Sequence, residues 1–162
     1  MATDPRWPPA LSSDDLNPPA TDADLTALQQ QLGVTLPADY LQVLQQHDGQ
    51  RGLADGLFDG QEFLSAQNVL AQWRIWKRLH DAGEFQALRS SPAAGVRDDW
   101  WNPRWIPFSH DGGGNHLCLD LDPAPGGAVG QVISLWHDSG ERTVQEASFG
   151  AWFTRWPPGP AA

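Results

Sequence analysis

The chain has 162 residues, enough to bury a hydrophobic core as one ordinary domain, and its 20 acidic against 10 basic side chains give a formal charge of −10. A phosphate backbone or an anionic membrane surface would be repelled by that charge, so neither nucleic-acid nor membrane binding is expected. Cys118 is the single cysteine, which excludes an intrachain disulfide.

In chain order, residues 1–20 are rich in Pro, Ser and Asp and read as an amino-terminal arm, residues 21–156 as a single domain, and 157–162 as a tail. Thr21 offers an N-cap with Asp24 three residues on, and Leu25, Leu28 and Leu32 mark a helical face that Gly33 stops. Pro37 fits a first helical position, with Tyr40, Leu41, Val43, Leu44 and His47 as the next apolar stripe before Gly49. Residues 50–64 carry glycine-rich turns and a short strand or two. Ser65 caps a longer helix in which Val69, Leu70, Trp73, Trp76 and Leu79 recur, ending near Gly83. From Glu84 to Asp99 the pattern dissolves, and a mobile insertion is expected.

Beyond Trp100 the period changes to two. Trp105 to Ser109, His116 to Leu121, Val129 to Trp136 and Arg142 to Val144 read as antiparallel strands on short connections, and Ser148 caps a last helix through Phe149, Trp152 and Phe153. Helices followed by a meander predict an α+β fold, with the helices packed on one face of a mainly antiparallel twisted sheet. Alternation points Leu117, Leu119 and Leu121 one way and His116, Cys118 and Asp120 the other, the pattern of a half-buried strand.

The most specific stretch runs Ser109-His110-Asp111-Gly112-Gly113-Gly114-Asn115-His116 into Leu-Cys-Leu-Asp-Leu-Asp-Pro, a hairpin corner made of residues suited to turns. With Leu36, Pro37 and Tyr40, then Asp48-Gly49, the Gly56 to Gly60 stretch, and Trp105 and Pro107 leading into Asp111, Gly112, Gly114 and Asp120, the chain resembles the yeast cell-wall assembly regulator and killer-toxin-resistance (Smi/Knr) family of the SUKH superfamily over roughly residues 16–153. The resemblance implies a SUKH-like fold with no fixed catalytic set. It also implies one of two roles: regulation of cell-wall synthesis, as in yeast members, or immunity to a toxin, as in bacterial ones.

Charge placement favours the second role. No Lys or Arg lies between Trp7 and Gln50, nor between Trp105 and Glu141, so two acidic segments are available to one face. An acidic inhibitor suits a basic toxin. The leading expectation is a cytoplasmic, non-enzymatic immunity protein whose protein partner, a cognate toxin that the charge argument makes cationic, meets Asp111, Asn115, Asp120 and Asp122. A regulator of the cell-wall type is the alternative, and a carbohydrate-binding protein or small hydrolase the third reading.

Chemistry finds little support in the motifs. Four His-Asp pairs resemble the ion-binding pairs of metal-dependent hydrolases but sit at helix ends and turns, and Asp111, Asn115, Asp120 and Asp122 lack EF-hand spacing. Gly112 to Gly114 has no following Lys, and no Gly-x-Ser-x-Gly elbow occurs. No cofactor or metal is expected. Trp100, Trp101 and Trp105 offer a sugar-stacking platform only if exposed, and burial is the stronger expectation. The chain start has no secretory signature and no apolar stretch is long enough to span a bilayer, which is why a cytoplasmic location is expected.

Overall fold

A computed structural model describes Trp7, residues 13–51, Phe58 and residues 60–155. Helix α1 (Asp22–Leu32) opens on the anticipated capping box, Thr21 accepting from Asp24 N and Asp24 from Thr21 N, and closes on Gly33 at φ 71°. Helix α2 (Ala38–Gln46) starts one residue later than expected, with Pro37 as its N-cap rather than its first helical residue. Strand β1 (Glu62–Phe63) leads to α3 (Ala66–Asp81), whose N-cap Ser65 accepts from Asn68 N. Its buried side chains Val69, Trp73 and Trp76 form the expected inward stripe, while Leu79 stays 40 % exposed.

The segment from 84 to 99 is not a detached insertion. Its strand β2 (Ser91–Pro92) pairs in parallel with β7 (Glu141–Arg142), and Gly95 and Val96 are buried. The periodicity dissolves there because the segment is held by main-chain hydrogen bonds, such as Ser91 N to Gly140 O and Ala93 N to Arg142 O, rather than by an apolar stripe.

The principal sheet runs in the order β3 (Trp105–Pro107), β5 (His116–Asp120), β6 (Gln131–Leu135), β8 (Val144–Glu146), all antiparallel. The expected first strand is split: β4 (Ser109–His110) leaves β3 and pairs antiparallel with β1. The short helix α4 (Phe149–Phe153), capped by Ser148, contacts α2, β6 and β8, and α3 contacts α1 and β3. Helices and an antiparallel sheet thus share one α+β core.

Two aromatic clusters fill that core. Trp7, Tyr40, Phe58, Phe63, Phe108, Phe149, Trp152 and Phe153 interlock with centroid separations such as 5.0 Å for Tyr40–Phe149 and Phe108–Trp152. Trp7 joins from the expected arm, its Nε1 donating to Val43 O, and Leu16 and Ala20 are buried as well, so this part of the arm packs on the domain. The second cluster joins Trp73, Trp76, Phe85 and Trp101. The Gly56, Leu57 and Asp59 positions of the resemblance, and the 157–162 tail, lie outside the described residues.

Strand β5 corrects the alternation. All five of its residues are buried, His116, Cys118 and Asp120 included. Trp76 of α3 meets His116, and the Gly95 segment meets Asp120 through Gln131, so the polar-looking face is covered by residues distant in sequence.

Candidate functional site

The glycine corner joining β4 to β5 is organised by one carboxylate. Asp111 Oδ1 accepts from Gly113 N at 2.7 Å and Asn115 N at 3.1 Å, and Oδ2 accepts from Asn115 Nδ2 at 2.8 Å. Partial burial opposes its ionisation, yet the Asn115 side chain, the two backbone N–H groups and nearby His110 together hold the carboxyl below its ordinary value. Gly112 and Gly114 adopt φ of 87° and 93°, a region that disfavours side chains. Asn115 Oδ1 then accepts from His137 N, with His137 Nδ1 also 2.9 Å away. The corner is thereby tied to the loop after β6.

Beneath it, both ring nitrogens of His116 are engaged. Nδ1 lies 2.8 Å from Ser109 O and must donate, which leaves Nε2 to accept from Trp76 Nε1 at 3.1 Å. Burial first, and the neighbouring His110 and His137 second, outweigh the Ser109 hydrogen bond and pull its pKa down to about 4. His110 stacks on it at 5.1 Å.

Sequence comparison gives this hairpin its setting. The family model described as "SMI1 / KNR4 family (SUKH-1)" matches residues 19–155, from before α1 to beyond α4. The chain belongs to the SMI1/KNR4 family. A glucan synthesis regulatory protein of Neurospora crassa is 30% identical over 172 residues, covering 84% of this chain and 32% of the relative. The cell wall biosynthesis/cell cycle regulator smi1 of Schizosaccharomyces pombe is 33% identical over 144 residues (80% and 29%), and the cell wall assembly regulator SMI1 of Saccharomyces cerevisiae 25% over 171 (83% and 34%). The chain therefore spans about a third of the length of these relatives.

Within this SMI1/KNR4 domain the four expected contact residues do not form one surface. Asp111 and Asn115 share the exposed corner, but Asp120 and Asp122 lie at the far end of β5, roughly 17 Å away at about 3.3 Å per residue. Asp120 is 0 % exposed and withdrawn from any partner: Oδ2 accepts from Gln131 Nε2 and Oδ1 from Asp122 N. Burial raises its pKa above the ordinary carboxylate value despite these bonds. Asp122 pairs with Arg97 at 3.1 Å. Only Asp111, Asn115 and Asp122 remain at the surface in any degree, in two separate places.

The other motif residues are structural. Asp48 Oδ1 accepts from Ala66 N at the start of α3, and Gly49 packs so closely that a Cβ would stand 2.6 Å from the Leu64 carbonyl carbon. Leu36, Tyr40 and Trp105 are buried, and Pro37 caps α2. Pro107 lies opposite Cys118. Cys118 is fully buried and burial pushes its thiol pKa up, which makes it a core residue rather than a nucleophile.

Sequence reasoning missed Arg142. It is 0 % exposed, donating from Nη1 to Ser139 O and Glu141 O and from Nη2 to Trp100 O, with its guanidinium 4.8 Å from the Trp100 ring. Its one sequence signal is that it is the only Lys or Arg between Trp105 and Thr154. With Trp101 3 % and Trp105 0 % exposed and Trp100 half-buried over Arg142, the three tryptophans offer no sugar-stacking platform. Among the described residues, no three His, Cys, Asp or Glu side chains are grouped to hold a metal, and no helix is long and apolar enough to cross a membrane.

Proposed function

We propose that this chain is a non-enzymatic, protein-binding regulatory module acting in the control of cell-wall assembly. The observation that carries this reading is the match of residues 19–155 to proteins named as regulators of glucan synthesis and cell-wall assembly. Burial is in keeping with it: His116, Cys118, Asp120 and Arg142 are all engaged inside the scaffold. The toxin-neutralising reading gains nothing from the relatives reported above, none of which is named as an immunity protein, and the acidic residues that motivated it are divided between the two ends of β5.

A domain exchange tests the proposal. The matched segment of the Schizosaccharomyces pombe relative is replaced by residues 19–155 of this chain, and cells are challenged with a wall-damaging dye. Restored resistance is the expected result. A chimera that accumulates to the normal level yet leaves cells as sensitive as the deletion strain overturns it.

A further inference from the structure

Between the carboxyl end of α1, the start of β3 and the loop joining β5 to β6 lies a cleft of about 600 Å³ whose walls include Gln30, Val34, Thr35, Arg104, Leu121 and Val129. Its charge is the reverse of the molecule's. In a chain with 20 acidic and 10 basic residues, Arg104 is the only charged side chain among the described residues that line this cleft. The side chain is exposed and makes no hydrogen bond or ion pair with a described residue. Its main chain is fixed: Arg104 N donates to Asn102 Oδ1 at 2.8 Å and Arg104 O accepts from Leu121 N at 2.9 Å. A guanidinium on an anchored backbone, with its own donors free, is the group that receives a carboxylate.

A second, independent observation is apolar. Val129 is 72 % exposed, more than any other large hydrophobic side chain among the described residues. A tight turn imposes that exposure. Gln131 N donates to Ala128 O at 3.1 Å, Ala128 N donates to Gln131 Oε1 at 3.2 Å, and Gly130 between them takes φ of 89°. Val129 is thereby held in water at the cleft, beside half-buried Val34 and buried Leu121. The same ligand must therefore cover an aliphatic surface and answer a cation. Helix α1 adds an acceptor: Gly33 N and Val34 N both donate to Gln29 O, so the carbonyl of Gln30 receives no backbone N–H from a described residue.

An inorganic anion would satisfy Arg104 and leave Val129 in water. A peptide offers a carboxylate, an aliphatic side chain and main-chain N–H groups together. We infer that this cleft takes an extended acidic segment of a partner protein, with a Glu or Asp carboxylate on the Arg104 guanidinium and an aliphatic side chain of the segment against Val129 and Val34. The inference rests on the reading of the chain as a protein-binding module. The net charge of −10 does not oppose it at close range, because exposed charges farther than about 8 Å are largely screened at physiological ionic strength.

The test titrates the isotope-labelled full chain with the capped pentapeptide acetyl-Leu-Ser-Glu-Ser-Leu-amide and follows the Val129 methyl and Arg104 Nε–H resonances. Each leucine of that peptide lies two residues from the glutamate, the spacing that puts both on one face of an extended segment. Its controls are acetyl-Leu-Ser-Gln-Ser-Leu-amide, acetyl-Ser-Ser-Glu-Ser-Ser-amide and sodium acetate. The expected result is a saturable displacement of both resonances by the first peptide, with affinity at least five-fold weaker for every control. Arg104→Gln and Val129→Ser should each weaken binding at least five-fold while resonances away from the cleft stay in place. Both side chains are exposed, so neither variant requires the core to repack. No displacement, equal affinity for the glutamine peptide, acetate binding as tight as the peptide, or variants that bind as tightly as the wild type overturns the inference. In the domain exchange, a chimera carrying Arg104→Gln and Val129→Ser that restores resistance as fully as the unaltered one excludes the cleft while leaving the regulatory reading intact.

Discussion

Trp76 donates its indole Nε1 to His116 Nε2 across 3.1 Å, joining α3 to β5, and that bond exists only while His116 Nε2 carries no proton. With Nδ1 already donating to Ser109 O, protonation would set two donors against each other inside the core.

The consequence is a stability that depends on acidity. The folded pKa of about 4 lies below the ordinary 6.5, so between these values the unfolded chain takes a proton that the folded chain refuses. This contribution is fully present above pH 6.5, declines as the pH falls toward 4, and is level below that. Its size is about 3 kcal/mol. Half-buried Asp48 and buried Asp120, whose carboxyls are raised by burial, act in the opposite sense in acid, so the comparison is between wild type and His116→Gln. Urea unfolding should find the variant less stable at pH 7 and the gap narrowing by about that amount at pH 4. A gap independent of pH would show that His116 is not held neutral.

Gly49 and Gly112 both adopt positive φ, 74° and 87°, yet they should respond differently to alanine. At Gly112 an added Cβ meets nothing within 4 Å, so only the backbone preference of about 1–2 kcal/mol is lost. At Gly49 the Cβ would fall 2.6 Å from Leu64 C and Ser65 N, backbone atoms that lead into α3. Gly49→Ala should cost several kcal/mol, on the order of the largest single-residue effects, and thermal unfolding should rank it well below Gly112→Ala.

Helix α3 has two side chains at its entrance. Ser65 Oγ accepts from Asn68 N and Asp48 Oδ1 from Ala66 N, the second arriving from a loop eighteen residues upstream in the chain. Each removed by alanine should cost about 1 kcal/mol, and Asp48→Asn, which keeps an acceptor, distinctly less than Asp48→Ala. Equal losses for both Asp48 variants in urea unfolding would mean that the charge, not the cap, matters.

What the sequence disclosed was what neighbouring residues decide. Thr21, Ser65 and Ser148 each stand three residues before the amide they cap, so helix starts were legible, and short Gly and Pro connections imposed antiparallel neighbours. Burial of the His116, Cys118 and Asp120 face was not legible, because its covers, Trp76 and the Gly95 segment, lie tens of residues away. For the same reason Asp120 looked like a surface acid although Gln131, eleven residues on, takes it inside. Of the candidate contact residues, Asp111 and Asn115 were rightly read as one turn, while pairing them with Asp120 and Asp122 overlooked the length of the strand between.

Arg142 supplies the sharpest separation between charge and geometry. Burial draws its pKa down to about 10, still well above neutral, so a full positive charge is kept in the core with carbonyl oxygens, not carboxylates, around it. Those carbonyls lie on both sides of the group: Ser139 and Glu141 at Nη1, Trp100 at Nη2. A planar guanidinium spans them at once, whereas a lysine ammonium is a single point on a narrower stem. Arg142→Met should therefore cost about 3–5 kcal/mol by leaving buried acceptors without donors. Arg142→Lys should recover less than half of that despite restoring the charge. The β2–β7 pair and Trp100 both depend on this residue, so amide exchange at Ser91 and Ala93 should quicken in both variants. Lysine as stable as arginine would show that charge alone holds the segment, and the carbonyl geometry would lose its role.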